Sequence, residues 1–181
     1  GLKPVLSGGI VRFLNGSGSE IARIVNNIMT FKYTGFGGDI VTNPDKTTTV
    51  IGKWDNQLEN IWDTGLAKQG NNVGGMNILG NVPNGTVAEK WAFNKEWLNQ
   101  AIVRGDAIRV TANPLDINNV FYNSSGISTT HFQSTASLKN YLTNLSETSD
   151  EVAQLGYYGR EIRHLFQNGY SFNSTTKQFI K

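Results

Sequence analysis

The stretch TVAEKWAFNKEWLNQAIVRGDAIRVTANP, Thr86 to Pro114, decides the fold class because its apolar period changes partway through. Thr86-Val-Ala-Glu89 fits a capping box, in which the threonine hydroxyl and the glutamate carboxylate each satisfy a free N–H at a helix start. Trp91, Trp97, Leu98, Ala101 and Ile102 make an apolar side at helical spacing, and Gly105 is placed to end the helix in the left-handed conformation. Ala107 to Thr111 then reads as a strand, stopped at Asn113-Pro114. A long helix therefore runs directly into a strand.

Upstream, TTTVIGKW at 47–54 has the β-branched density of a strand, Asp55 caps a short helix over 56–69, and the Gly- and Asn-rich 71–83 is a loop with a short strand at 76–79. TGFGGDIVTNPDK, 34–46, is a loop by its Gly, Asn and Pro content. Residues 1–20 are rich in Gly and Ser and read as a flexible lead-in. Ser19 is placed as an N-cap, and Ile21, Ile24, Val25 and Ile28 recur at helical spacing, which predicts an amphipathic helix to about Phe31.

Downstream, 115–130 is polar and loop-like, with an extended piece at 127–132 and a short helix over 136–145. Thr148-Ser-Asp-Glu151 is a second capping-box match, and Val152, Leu155, Gly159, Ile162 and Phe166 continue it as one long helix ended by Asn168-Gly169. Residues 170–180 close the chain as a strand or a hairpin, with 173–175 as the turn in the second case. The pattern predicts an α+β fold, a small mostly antiparallel sheet with helices packed on it, preceded by an N-terminal helical or flexible segment. The expected division is a lead-in with its helix over 1–40 and a catalytic domain over 41–181.

Composition limits the function. The 181 residues, 38% hydrophobic and 10% aromatic, can bury a core unaided. A net charge of +2 with a sequence pI near 8.8, from Lys and Arg scattered singly, permits a polyanionic partner without demanding one. The absence of cysteine excludes a disulfide framework, a thiolate metal site and a Cys nucleophile. No apolar run approaches a membrane span. The opening Gly-Leu-Lys-Pro, without Met, reads as a segment of a longer polypeptide in preference to a cloning scar. P-loop, GxSxG, HExxH, EF-hand and Cys–His zinc patterns are all missing, and GFGGD and VGGMN lack the context of a nucleotide fingerprint.

Five residues remain as candidates for chemistry. His131, in ISTTHFQ, falls by alternation on one face with Ile127 and Thr129; an imidazole beside threonine hydroxyls suits proton transfer near neutral pH, and a hydrogen-bonded loop histidine is the plain alternative. Arg104 and Asp106 flank the glycine where helix becomes strand, so they either serve a site or only complement the helix end and its turn. In GYYGREIRHLFQNGYSF, 156–172, the periodicity turns Arg160, Arg163, His164 and Gln167 outward and puts Glu161 at the boundary. Gly159 beside Arg160 and Glu161 lets another backbone or a substrate come close. A structural ion pair and a solvated helix face are the plain alternatives there.

Taken in order, KTTTVIGKW, NVGGMNILG, NKEWLNQAIVRGDAIRVTANP and GREIRHLFQNGYSF resemble the variable C-terminal toxin domains of bacterial polymorphic toxins, the CdiA-type contact-dependent growth inhibition proteins and the Rhs proteins, over about residues 45–175. The resemblance implies delivery from a secreted or cell-surface protein into a neighbouring bacterium, action in the target-cell cytoplasm, and a cognate immunity protein in the producer. Many such domains are metal-independent RNases, often acting on tRNA, and some need a host elongation factor as activator. The leading expectation is a nuclease toxin that cleaves tRNA or rRNA with no cofactor, with His131 as base or acid, Arg104 and Arg160 stabilising phosphorane charge, and Asp106 or Glu161 orienting or exchanging protons. One alternative makes Asp106 and Glu161 metal ligands of a DNase. Another is a non-catalytic adhesion or binding domain using exposed Trp, Tyr and Asn.

Overall fold

The computed structural model describes the backbone of residues 3–7, 10–14, 20–25, 28–33, 38–42 and 77–78, and backbone with side chains for 48–53, 82 and 84–181. The chain forms two compact units, Gly1–Thr47 with Asn77–Asp106, and Thr48–Met76 with Ala107–Lys181. This division is discontinuous, unlike the single boundary after residue 40 that the sequence suggests. The helix expected over 56–69 lies outside the described residues.

The first unit holds β1 (Lys3–Ser7), β2 (Ile10–Leu14), β3 (Glu20–Val25), β4 (Ile28–Tyr33) and β5 (Gly38–Thr42), an antiparallel meander in chain order. The amphipathic helix expected to about Phe31 is therefore two paired strands, and the lead-in contributes two more. Val25 pairs with Ile28, leaving only Asn26 and Asn27 between β3 and β4. A two-residue asparagine connection between β-branched runs favours a hairpin, and Ile and Val are poor helix formers, so pairing overrides the accidental helical spacing. The expected loop at 34–46 likewise contains β5, whose Ile40-Val41-Thr42 is β-branched.

β7 (Asn77–Ile78) and helix α1 (Val87–Arg104) complete this unit, with α1 running beside β5. The capping box is present: the Thr86 hydroxyl accepts from the Glu89 N–H at 3.1 Å, and the Glu89 carboxylate accepts from the Thr86 N–H at 3.0 Å. Gly105, at φ 75°, ends the helix, with Gly105 N–H on the Ile102 carbonyl and Asp106 N–H on that of Ala101. Phe93, Asn94, Trp97, Leu98 and Ala101 are buried. Trp91 and Ile102, expected with them, are half-buried.

The second unit carries a mixed sheet. β6 (Thr48–Ile51) runs parallel to β8 (Ala107–Val110), β8 antiparallel to β10 (Gln178–Ile180), and β10 antiparallel to β9 (Ser171–Asn173). Helices α2 (Ile117–Val120), α3 (Thr135–Asn144), α4 (Asp150–Ala153) and α5 (Tyr157–Gln167) accompany it, and α5 packs on α2 and α3. The fold is α+β, as the sequence predicts. Ile108, Val110 and Phe179 from the sheet and Leu138, Leu142, Ile162 and Leu165 from the helices are at most 1% exposed, and Phe179 meets Phe166 and Phe172 edge-on or tilted at 5.5 and 5.0 Å.

Two local expectations change here. The piece at 127–132 is not extended: Thr129–Phe132 is a 3-10 turn capped by Ser128. The single long helix from Glu151 is two helices. Tyr122 N–H donates to the Gln154 carbonyl at 2.8 Å and Gly156 N–H to that of Val120 at 3.0 Å, around an antiparallel bridge between Phe121 and Leu155. Backbone groups that a continuous helix would pair internally are claimed by residues 120–122, and the chain restarts as α5 at Gly156.

Candidate functional site

Two of the five candidates connect, through different neighbours, to the bridge between Phe121 and Leu155. The Phe121 ring packs against Phe132 and Tyr141, with centroids 6.2 and 6.4 Å away. His131 lies in the 3-10 turn immediately before Phe132, and its imidazole stacks on Tyr141 at 3.8 Å with the planes 5° apart. The Thr130 hydroxyl pairs with Ser128 at 2.8 Å and not with the imidazole. Alternation fails because a 3-10 turn repeats every three residues. Among the described residues neither imidazole nitrogen has a hydrogen-bond partner, and the ring is partly exposed. Burial, and then the nearby Glu151 carboxylate, raise the Tyr141 hydroxyl above the ordinary tyrosine range.

Arg160 borders the same bridge from α5. Its Nε donates to the Leu155 carbonyl at 3.2 Å, and its terminal nitrogens have no partner among the described residues. Burial lowers its pKa from the ordinary arginine value; the Tyr157 hydroxyl opposes that effect and the like charge of Arg163 adds to it.

Glu161 is not at the boundary of α5 but buried, 5% exposed. It faces inward with Tyr158, whose hydroxyl donates to the Ala112 carbonyl at 2.6 Å and is held far above its ordinary pKa by burial and then by Glu161. Arg163, expected in solvent, is 7% exposed. Its Nε and Nη2 donate to the carbonyls of Leu142 and Leu145 at 3.0 Å each, and Nη2 reaches Glu147 at 2.9 Å. An inward arginine is tolerated because α3 ends there with carbonyls needing donors. The space beside Gly159 is filled by backbone, for a Cβ at that position would strike the Val120 carbonyl.

Arg104 and Asp106 belong to the first unit and hold each other. Nε and Nη2 of Arg104 meet the two carboxylate oxygens at 3.1 and 2.8 Å, and the Asp106 side chain is 1% exposed. This bidentate pair straddles the glycine that ends α1, a position where a cation complements the helix dipole. Among the described residues no three His, Asp or Glu side chains are placed to hold a metal ion, and no helix is long and apolar enough to cross a membrane.

Of the five candidates, His131 and Arg160 keep uncommitted side-chain nitrogens among the described residues; Tyr141 stacks on the first, Tyr157 lies one turn before the second, and Tyr122 is exposed next to the bridge. Tyr141 lies ten residues from His131 and carries no local signal of the stack. Tyr122, an aromatic residue within a polar Asn- and Ser-rich stretch, was the one legible hint. No family model, curated protein or solved structure matches the chain.

Proposed function

We propose that the chain is an interbacterial toxin domain that cleaves tRNA or rRNA by acid–base chemistry, is delivered into neighbouring bacteria, and is neutralised by a cognate immunity protein. The observation that supports the chemistry is the His131 ring, held flat on Tyr141 while both nitrogens stay open among the described residues. A ring fixed in this way loses little freedom when it meets a hydroxyl, and an imidazole can both take and give a proton. His131 takes the proton of the ribose 2′-hydroxyl, and the oxygen attacks the adjacent phosphorus. The phosphorus bond to the 5′-oxygen breaks, a 2′,3′-cyclic phosphate forms, and the leaving oxygen takes a proton from solvent. Arg160 supplies positive charge for the phosphorane, its terminal nitrogens being uncommitted among the described residues.

The test is incubation of the full chain with total bacterial RNA and with plasmid DNA, each with and without EDTA. Expected is RNA cleavage that survives EDTA and disappears in His131→Ala, with thermal unfolding of that variant unchanged. Metal-dependent nicking of DNA, or undiminished cleavage by His131→Ala, sinks the reading. Expression of residues 1–181 in bacteria is expected to arrest growth unless the immunity protein is co-expressed.

A further inference from the structure

We infer that Tyr122, Tyr157 and Arg160 form a platform for the unpaired nucleotides of single-stranded RNA; this rests on the ribonuclease reading and adds to it the form of the substrate. The Tyr122 side chain is in solvent, the residue being 91% exposed, yet its backbone is fixed by the hydrogen bond to Gln154. Tyr157, 38% exposed, follows Gly156, where a Cβ would stand 4.0 Å from the Tyr122 nitrogen. Both tyrosines therefore leave one short piece of paired backbone.

Arg160 follows one helical turn after Tyr157 and feels its hydroxyl. It is half-buried, no carboxylate meets it among the described residues, and its charged neighbour is Arg163, whose guanidinium is already held by Leu142, Leu145 and Glu147. A partly desolvated guanidinium without an acid calls for an external anion. Tyr157 one turn before it, and the exposed Tyr122 rising from backbone next to Gly156, whose carbonyl accepts from the Arg160 N–H, add aromatic faces that a bare anion does not use. A single strand presents a phosphate and free base faces together, whereas a duplex keeps its bases stacked and offers only its backbone.

The experiment uses the full chain and a fluorescein-labelled eight-nucleotide 2′-O-methyl RNA, which cannot form a cyclic phosphate, titrated as a single strand and as a blunt duplex at fixed salt. Expected is at least about ten-fold tighter binding of the single strand, a loss of about ten-fold in Tyr122→Ala and in Tyr157→Ala, and near wild-type binding in Tyr122→Phe. Arg160→Ala is expected to weaken both forms and to lower the slope of log affinity against log salt by about one. Equal affinity for both forms, or unchanged affinity in Tyr122→Ala, overturns the platform. Because Tyr122 is almost wholly in solvent, misfolding does not explain its loss of binding, and a thermal melt checks this. Binding as expected by a chain that cleaves no RNA retires the ribonuclease reading and leaves the platform standing; cleavage with unaltered binding in both tyrosine variants does the reverse.

Discussion

At the scale of single residues, two arginines one turn apart on α5 have opposite fates. Arg163 is buried and donates to two carbonyls, and Arg160 spends one nitrogen on Leu155 and keeps the others uncommitted among the described residues. Replacing Arg163 by Ala strands the Leu142 and Leu145 carbonyls, so the expected cost is about 2–4 kcal/mol of folding free energy. The exposed Glu147 contact adds little to it. Urea unfolding measures this, and a cost below about 1 kcal/mol would mean that the carbonyls find other donors. Arg160→Ala is expected to cut RNA cleavage about a hundred-fold, about 2.7 kcal/mol of transition-state stabilisation, with a much smaller effect on unfolding. A variant that still cleaves at the wild-type rate removes Arg160 from the site.

At the scale of elements, one close fit between helices and one helix cap can be tested directly. Gly159 lets α5 lie against the last carbonyl of α2, and a methyl there must push the helices apart. Gly159→Ala is expected to destabilise by about 2–3 kcal/mol, by the same unfolding measurement, and a neutral result would show that α2 yields freely. The start of α1 carries a pH signature. Hydrogen bonds from Thr86 to the Glu89 carboxylate lower its pKa below the ordinary glutamate value, so its contribution is fully present above about pH 4.3 and is lost as pH falls through the lower, folded value. Thermal midpoints of wild type and Glu89→Gln are therefore expected to differ at pH 6 and to converge towards pH 3. A constant gap would mean that the carboxylate charge is not what the helix start uses.

At the scale of the whole molecule, the meander changes what the N-terminus is for. Residues 1–20 contain β1 and β2, which cover β3 from one side of the sheet. Their deletion would leave β3 as an unpaired edge, so a fall of more than about 5 °C in the unfolding midpoint is expected. A fall of only a degree or two would mean that these strands contribute little to the first unit's stability.

Part of the local chemistry was legible, though not the 3-10 turn at Thr129–Phe132. The capping box at Thr86, the left-handed Gly105, the strand over Ala107–Val110, helix α3, the closing hairpin and the α+β class all follow from hydrogen bonds and propensities within a few residues, which sequence order alone specifies. The rest depended on pairing between residues distant in the chain. Ile21, Ile24, Val25 and Ile28 satisfy a helical period, and only the neighbouring strands make them β. The break at Gly156 exists because residues 120–122 take its backbone partners. Glu161 and Arg163 point inward because tertiary carbonyls and a buried tyrosine surround them, and His131 is held by a ring ten residues away. A buried polar group goes wherever a partner offsets its desolvation, and the helical wheel records only its angle on the helix.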